Sequence, residues 1–143
     1  MSKKTDSNLQ YAALPYRRSA DGVIEVMLIT SLNTKRWIIP KGWPVRGLAP
    51  RDCAAREAKE ESGLVGRISD QSIGVYEYDK RLPDDTVVRC TVETFALEVE
   101  EQLTSWPEQG RRQTRWFALQ AAADAVEEPE LSALIAGLAA HLA

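Results

Sequence analysis

The sequence is short of the residue types that serve most familiar site chemistries. It has one histidine and two cysteines. Cys53 falls in an expected helix and Cys90 in an expected strand, and two cysteines give no disulfide framework and no closely spaced zinc-ligand set. A reducing compartment is the natural setting, and the expected location is cytoplasmic. The single histidine, His141, lies in an Ala/Leu-rich C-terminal stretch, where a packing or surface role is expected rather than catalysis. Basic excess is also absent. A net charge of −3 argues against general affinity for nucleic acid or a membrane surface, although local basic clusters can bind a small anion. No apolar run is long enough to span a bilayer, and Met1 to Gln10 carries no apolar signal core.

What remains is a globular composition. With 44% hydrophobic and 27% charged residues, the 143 residues suit one core and one domain. Residues 1–10 read as a flexible N-terminal segment and 11–143 as the domain. Strands are expected at Tyr11–Arg18 and Val23–Thr30, joined by an Asp21-Gly22 turn, and at Trp37–Ile39, closed by Pro40. Lys41 to Pro50 reads as a loop punctuated by Gly and Pro. A helix follows from about Pro50 to Ser62, because Pro suits the first helical position, Asp52 the first turn and Gly63 the stop. Further strands are expected at Ile73–Tyr78, Val87–Val99 and Thr114–Phe117, and helices at Leu119–Ala125 and Leu131–Leu142. One central helix among strands, with helices at the end, predicts a sheet covered on both faces.

The chemistry concentrates on the central helix. At about 100° per residue, Glu57, Glu60 and Glu61 fall within one arc of roughly 100°. Like charges so placed destabilise a helix unless a cation neutralises them, and a hard divalent ion with oxygen ligands is the simplest candidate. Ala54, Ala55 and Ala58 occupy the flank beside that arc, where small side chains let the helix approach a sheet closely. Arg56, one turn before Glu60, can pair with that carboxylate and orient it. A plain solvated charged surface would read the same way over this hexapeptide alone.

The wider spacing separates the two. Gly42, then a position at 48, then Arg56-Glu57-Ala58-x-Glu60-Glu61-x-Gly63-Leu64 resembles the signature of the Nudix hydrolase family. The resemblance implies an α+β fold, an α/β/α sandwich whose mixed central sheet is flanked by helices. It also implies metal-dependent cleavage of a phosphoanhydride bond in a nucleoside diphosphate linked to another group. Glu57, Glu60 and Glu61 would be the metal ligands, for Mg2+ or Mn2+, with Arg56 as their support. The family usually has Glu where this chain has Leu48, and Leu48 is expected to serve packing beside Trp43 and Val45. The tracts from Ser31 to Trp37 and from Trp106 to Arg112, with Arg115-Trp116-Phe117, most resemble the branch acting on diphosphoinositol polyphosphates and diadenosine polyphosphates. Trp43 stands where this branch usually has a second Gly.

Anionic substrates call for cations. Arg17, Lys41 and Arg89 are the preferred substrate-binding residues; Arg18, Arg36, Arg111, Arg112 and Arg115 are further candidates. Glu60, Glu61 or, on a strand, Glu93 could act as base. The expected partner is a small nucleotide or polyphosphate met by a monomer or homodimer, with no membrane and no nucleic acid. A nucleotide-binding module that does not cleave, favoured by Leu48, and an RNA 5′ pyrophosphohydrolase are the competing readings.

Overall fold

Ala12 to Tyr16 form an unbroken buried run in β1 (Leu9–Arg18), and its position in the sheet explains it. In this computed structural model, which describes residues 8–142, β1 pairs in parallel with β7 (Val87–Gln102) and antiparallel with β2 (Ile24–Thr30). Strands with both faces covered read as unbroken apolar runs. β1 opens two residues before the expected Tyr11. The first seven residues of the expected flexible segment lie outside the described residues, but its last positions, Leu9 and Gln10, already belong to the sheet.

Eight strands form one mixed sheet with the path β3-β2-β1-β7-β5. β3 is Trp37–Ile38 and β5 is Leu64–Ile68. Off the path, β4 (Lys41–Gly42) pairs with the start of β1, β6 (Gly74–Arg81) with β7, and β8 (Thr114–Ala118) with β2. Two of these strands were not expected. β4 lies at the head of the Gly/Pro loop, and β5 joins the sheet directly after the central helix, where Gly66 marks an irregular register against β7.

The sheet separates two apolar clusters. On one face Leu14, Leu28, Tyr76, Val92, Leu131 and Ile135 pack beneath the C-terminal helices. On the other, Ala13, Met27, Phe95 and Leu97 meet Ala54 and Ala58 of α1 (Pro50–Ser62). The fold is therefore α+β, with helices on both faces of a mixed sheet. The expected C-terminal helix is divided into α3 (Pro129–Ala136) and α4 (Leu138–Leu142), following α2 (Leu119–Ala125). Pro129 opens α3 rather than merely preceding a helix, as suits a residue with no amide to pair. Gly137 closes α3 and divides it from α4.

Candidate active site

α1 begins with Pro50 and ends at Gly63, whose left-handed backbone (φ +74°) donates its N–H to the Lys59 carbonyl. Ala49 offers no side-chain cap, an omission typically worth about 1 kcal/mol. The C-terminal end has several compensating contacts. The Glu108 amide donates to the Glu60 carbonyl, Leu103 to Gly63, and Gln102 Nε2 to Ser62. Trp106 lies against Gly63 so closely that a Cβ there would stand 2.3 Å from its ring. The 102–108 strap thus holds the end of the helix that carries the carboxylates.

The three carboxylates share an arc of the helix but not an environment. Glu61 is 6% exposed and Glu57 is half-buried beside it. Glu57 rests on Gly42 of β4, where a Cβ would sit 2.3 Å from its carboxyl carbon. The Glu61 Oε1 accepts the Lys41 amide at 3.4 Å, and Arg112 Nη2 stands 3.9 Å from its other oxygen. Burial pushes the Glu61 carboxyl up to about 8; Arg112 opposes this, while a hydrogen bond with Glu57 adds to it. Glu57 is raised as well, chiefly by burial, although its hydrogen bond with Glu61 pulls the other way. The two carboxyl groups stand within hydrogen-bond reach of one another. Glu60 instead meets Arg56 Nε at 2.9 Å on the exposed side of the helix.

Glu61 borders a polar cleft of about 490 Å³ between the β2–β3 turn, β4 and the tip of the β6–β7 hairpin. Arg36, Lys41, Lys80, Arg81 and Arg112 line it, an excess of cations over Glu61 and Asp79. Lys41 lies 4.8 Å from the Tyr78 ring, and burial lowers its ammonium to about 8 against the pull of Glu61 and Glu128. Arg112 is the most firmly held cation. Its Nε donates to Glu108 at 2.7 Å and its Nη1 to the Thr30 carbonyl at 3.1 Å, leaving Nη2 toward Glu61.

Of the preferred substrate-binding residues, the structure brings only Lys41 to this cleft. Arg17 pairs with Glu25 at 2.8 Å and stacks 4.0 Å from the Trp116 ring. It lies five positions along β1 from Ala12, the partner of Lys41, or roughly 16 Å at strand spacing. Arg89 is held by Glu77 and Asp79 in a neighbouring cleft. Arg36 and Arg112, on irregular segments, line the same cleft as Lys41; no periodicity marks such positions. Glu93 sits opposite Tyr11, in the face that α1 covers, and raises the Tyr11 hydroxyl as a contribution second to burial. His141 is exposed. Leu48 is not packed away as expected: it is 38% exposed and borders an open groove with Ala55, Arg56 and Glu60.

The NUDIX domain family model matches residues 12–137. The chain belongs to the Nudix family. It is 33% identical over 119 residues to the Arabidopsis thaliana protein named Nudix hydrolase 16, mitochondrial, covering 80% of this chain and 66% of that protein. Mouse diphosphoinositol polyphosphate phosphohydrolase 3-alpha is 32% identical over 100 residues, or 67% of this chain and 56% of that one. The chain spans about half to two thirds of the length of the curated relatives it matches. In fold, the Nudix chain is similar to the crystal structure of a C. elegans Ap4A hydrolase, with a TM-score of 0.67 and 21% identity over 94% of this chain and 98% of that one.

The Nudix family generally uses a divalent metal, and the donors here can be tested against one. Glu57 and Glu61 are hard oxygen donors that stand next to one another, and a divalent cation would satisfy both without protonation. Glu60 does not converge with them, and no group of three His, Cys, Asp or Glu side chains among the described residues is arranged to hold a metal. The pair fits such an ion, while Glu60 is engaged by Arg56.

Proposed function

We propose that this Nudix chain hydrolyses a phosphoanhydride bond in a nucleoside diphosphate linked to another group, with a dinucleoside or inositol polyphosphate as the substrate type. The observation that carries this reading is the buried Glu61, beside Glu57, opening onto a cleft lined by five cations. The Mg2+ or Mn2+ that Glu57 and Glu61 would hold supplies charge neutralisation at the phosphate oxygens and acidifies a water.

The chain's own residues do the rest. Lys41, Arg36 and Arg112 draw the phosphate chain against the carboxylates, and Arg112, anchored on Glu108 and the Thr30 carbonyl, does so at little cost in side-chain freedom. Glu60 is the helix carboxylate not buried against another acid, and it is the one proposed to take the proton of the attacking water. Buried thiols at Cys53 and Cys90 support the proposal of a reducing, cytoplasmic setting. No described helix is long and apolar enough to cross a membrane.

A panel of dinucleoside polyphosphates, diphosphoinositol polyphosphates and nucleoside triphosphates, assayed for phosphate release with Mg2+, Mn2+ or excess EDTA, tests this. Release that depends on metal and favours the polyphosphates is expected. Full activity in EDTA, or a tenfold preference in kcat/KM for a simple triphosphate, overturns it. The one observation favouring a module that binds without cleaving is the capture of Glu60 by Arg56. In that case the same panel gives binding and no release.

A further inference from the structure

Among the cations of the basic cleft, Arg36 is tied to an element that contributes no residue to the cleft wall. It closes the β2–β3 turn, where its amide donates to Ser31 Oγ at 3.2 Å and its carbonyl accepts the Ser31 amide at 2.9 Å. The side chain crosses to the start of α3, 92 positions along the chain. There Nη1 donates to Glu128 Oε2 at 2.6 Å, and Glu127 stands 3.9 Å from Nε.

Glu128 is fixed in its turn. It occupies the extended N-cap position of α3, its carbonyl accepts the Ser132 amide at 2.9 Å, and Leu131 and Ile135 of the same helix are fully buried. A helix N-terminus also suits a carboxylate. The acid lies deeper than the cation, at 10% side-chain exposure against 24%, and Arg36 lines the cleft while Glu128 does not. The pair therefore turns its positive end to the cleft. Around Arg17 and Arg89 the partner acids lie nearer the surface.

Stability is a poor account of this pair. Taking both charges largely out of water costs about as much as their attraction returns, and Glu128 Oε1 is buried with no hydrogen-bond partner among the described residues, which adds to the cost. What the pair supplies is direction. A guanidinium carries several N–H donors in a rigid fork, so Glu128 can hold part of the fork and leave the rest for the cleft.

We propose that Glu128 is a positioning residue for phosphate binding: without touching the ligand, it holds the Arg36 guanidinium in the orientation that receives a polyphosphate. The inference rests on the polyphosphate reading of this cleft and adds to it a residue outside the cleft wall.

Calorimetric titration of the full chain with inorganic tripolyphosphate, in excess EDTA, reads this role without turnover. A pH of about 6 lies well below the Lys41 value of about 8, so that ammonium stays charged throughout. Glu128→Ala should weaken binding roughly tenfold, because an untethered arginine must give up its rotamer freedom when the anion binds. Loss of a negative charge alone would tighten an anion instead, so the sign separates the two roles. In an Arg36→Ala background, itself weakened about tenfold, Glu128→Ala should change affinity by less than about twofold. Glu128→Gln, which keeps an acceptor oxygen in place, should stay within about threefold of the unmodified chain. Tighter or unchanged binding in Glu128→Ala overturns the positioning role, and so does an equal loss with and without Arg36, which marks a structural one. Should Glu128→Ala fail to fold, Arg36→Lys keeps the charge and gives up the fork: a loss of about fivefold or more supports the role, and unchanged affinity overturns it. Unaltered binding in Arg36→Ala overturns the role of Glu128 and leaves Lys41 and Arg112 to carry the polyphosphate reading. Failure of the unmodified chain to bind tripolyphosphate removes that reading, and this inference with it.

Discussion

Glu61 and Glu60 are neighbours in sequence and stand on the same helix, yet they are held in opposite ways. Glu61 is buried with Glu57 against β4, facing Arg112, and its proton affinity is raised by burial. Glu60 points to the exposed side and answers to Arg56. Helical spacing puts the three on one arc, and the surroundings separate them. Gly42 and the Lys41 amide receive Glu57 and Glu61, while Glu60 forms an exposed ion pair of the kind usually worth under about 1 kcal/mol.

The largest expected consequence is in turnover. Glu57→Gln and Glu61→Gln should fold and lose about a hundredfold or more in kcat, roughly 2.7 kcal/mol of barrier, whereas Glu60→Gln should lose about tenfold; steady-state kinetics on melt-checked variants decides. A Glu60→Gln loss equal to the other two would make the three carboxylates equivalent and end the comparison.

Stability against pH sharpens it further. The folded Glu61 carboxyl titrates near 8, above its ordinary value of 4.5. The unfolded chain therefore loses that proton first, and the stabilisation present at low pH is lost as pH rises from about 5 to about 8. Without metal, the Tm contribution of Glu61 should fall across this window, and Glu61→Gln should remove that part of the slope. An identical slope in the variant would show that Glu61 is not the titrating group.

Smaller effects are expected away from the pair. Arg17→Ala removes an exposed ion pair and a stacking contact on Trp116, so a stability loss under about 1 kcal/mol is expected, with KM unchanged within about twofold. A large rise in KM would return Arg17 to the substrate. Leu48→Glu should change stability by no more than about 0.5 kcal/mol, because Leu48 is 38% exposed; a chemical denaturation midpoint that drops sharply would restore its packing role.

The α1 boundaries were legible because Pro50, Asp52 and Gly63 are local signals, each acting within one turn of the chain. The strands of β1, β2 and β7 were legible for a similar reason, their long apolar runs. β4 and β5 were not, since short strands of two and five residues owe their conformation to partners distant in sequence. The same division runs through the site. The Glu57–Glu61 spacing could be read from the helix period, but their burial depends on Gly42 and the 102–108 strap. Arg112 escaped preference because only the tertiary position of Glu108 and Thr30 turns it toward Glu61. Arg17 and Arg89 were preferred for their nearness to strands, and the structure shows each already neutralised by acids on an adjoining strand.

We propose that Glu57 and Glu61, rather than the whole acidic arc, form the metal site. The direct measurement is a Mn2+ titration of the full chain followed by electron paramagnetic resonance, without substrate and at one pH near 8, for the unmodified protein, Glu61→Gln and Glu60→Gln. The account predicts an affinity loss of about tenfold or more for Glu61→Gln and less than about threefold for Glu60→Gln. Unchanged affinity in Glu61→Gln, or the larger loss in Glu60→Gln, would contradict it.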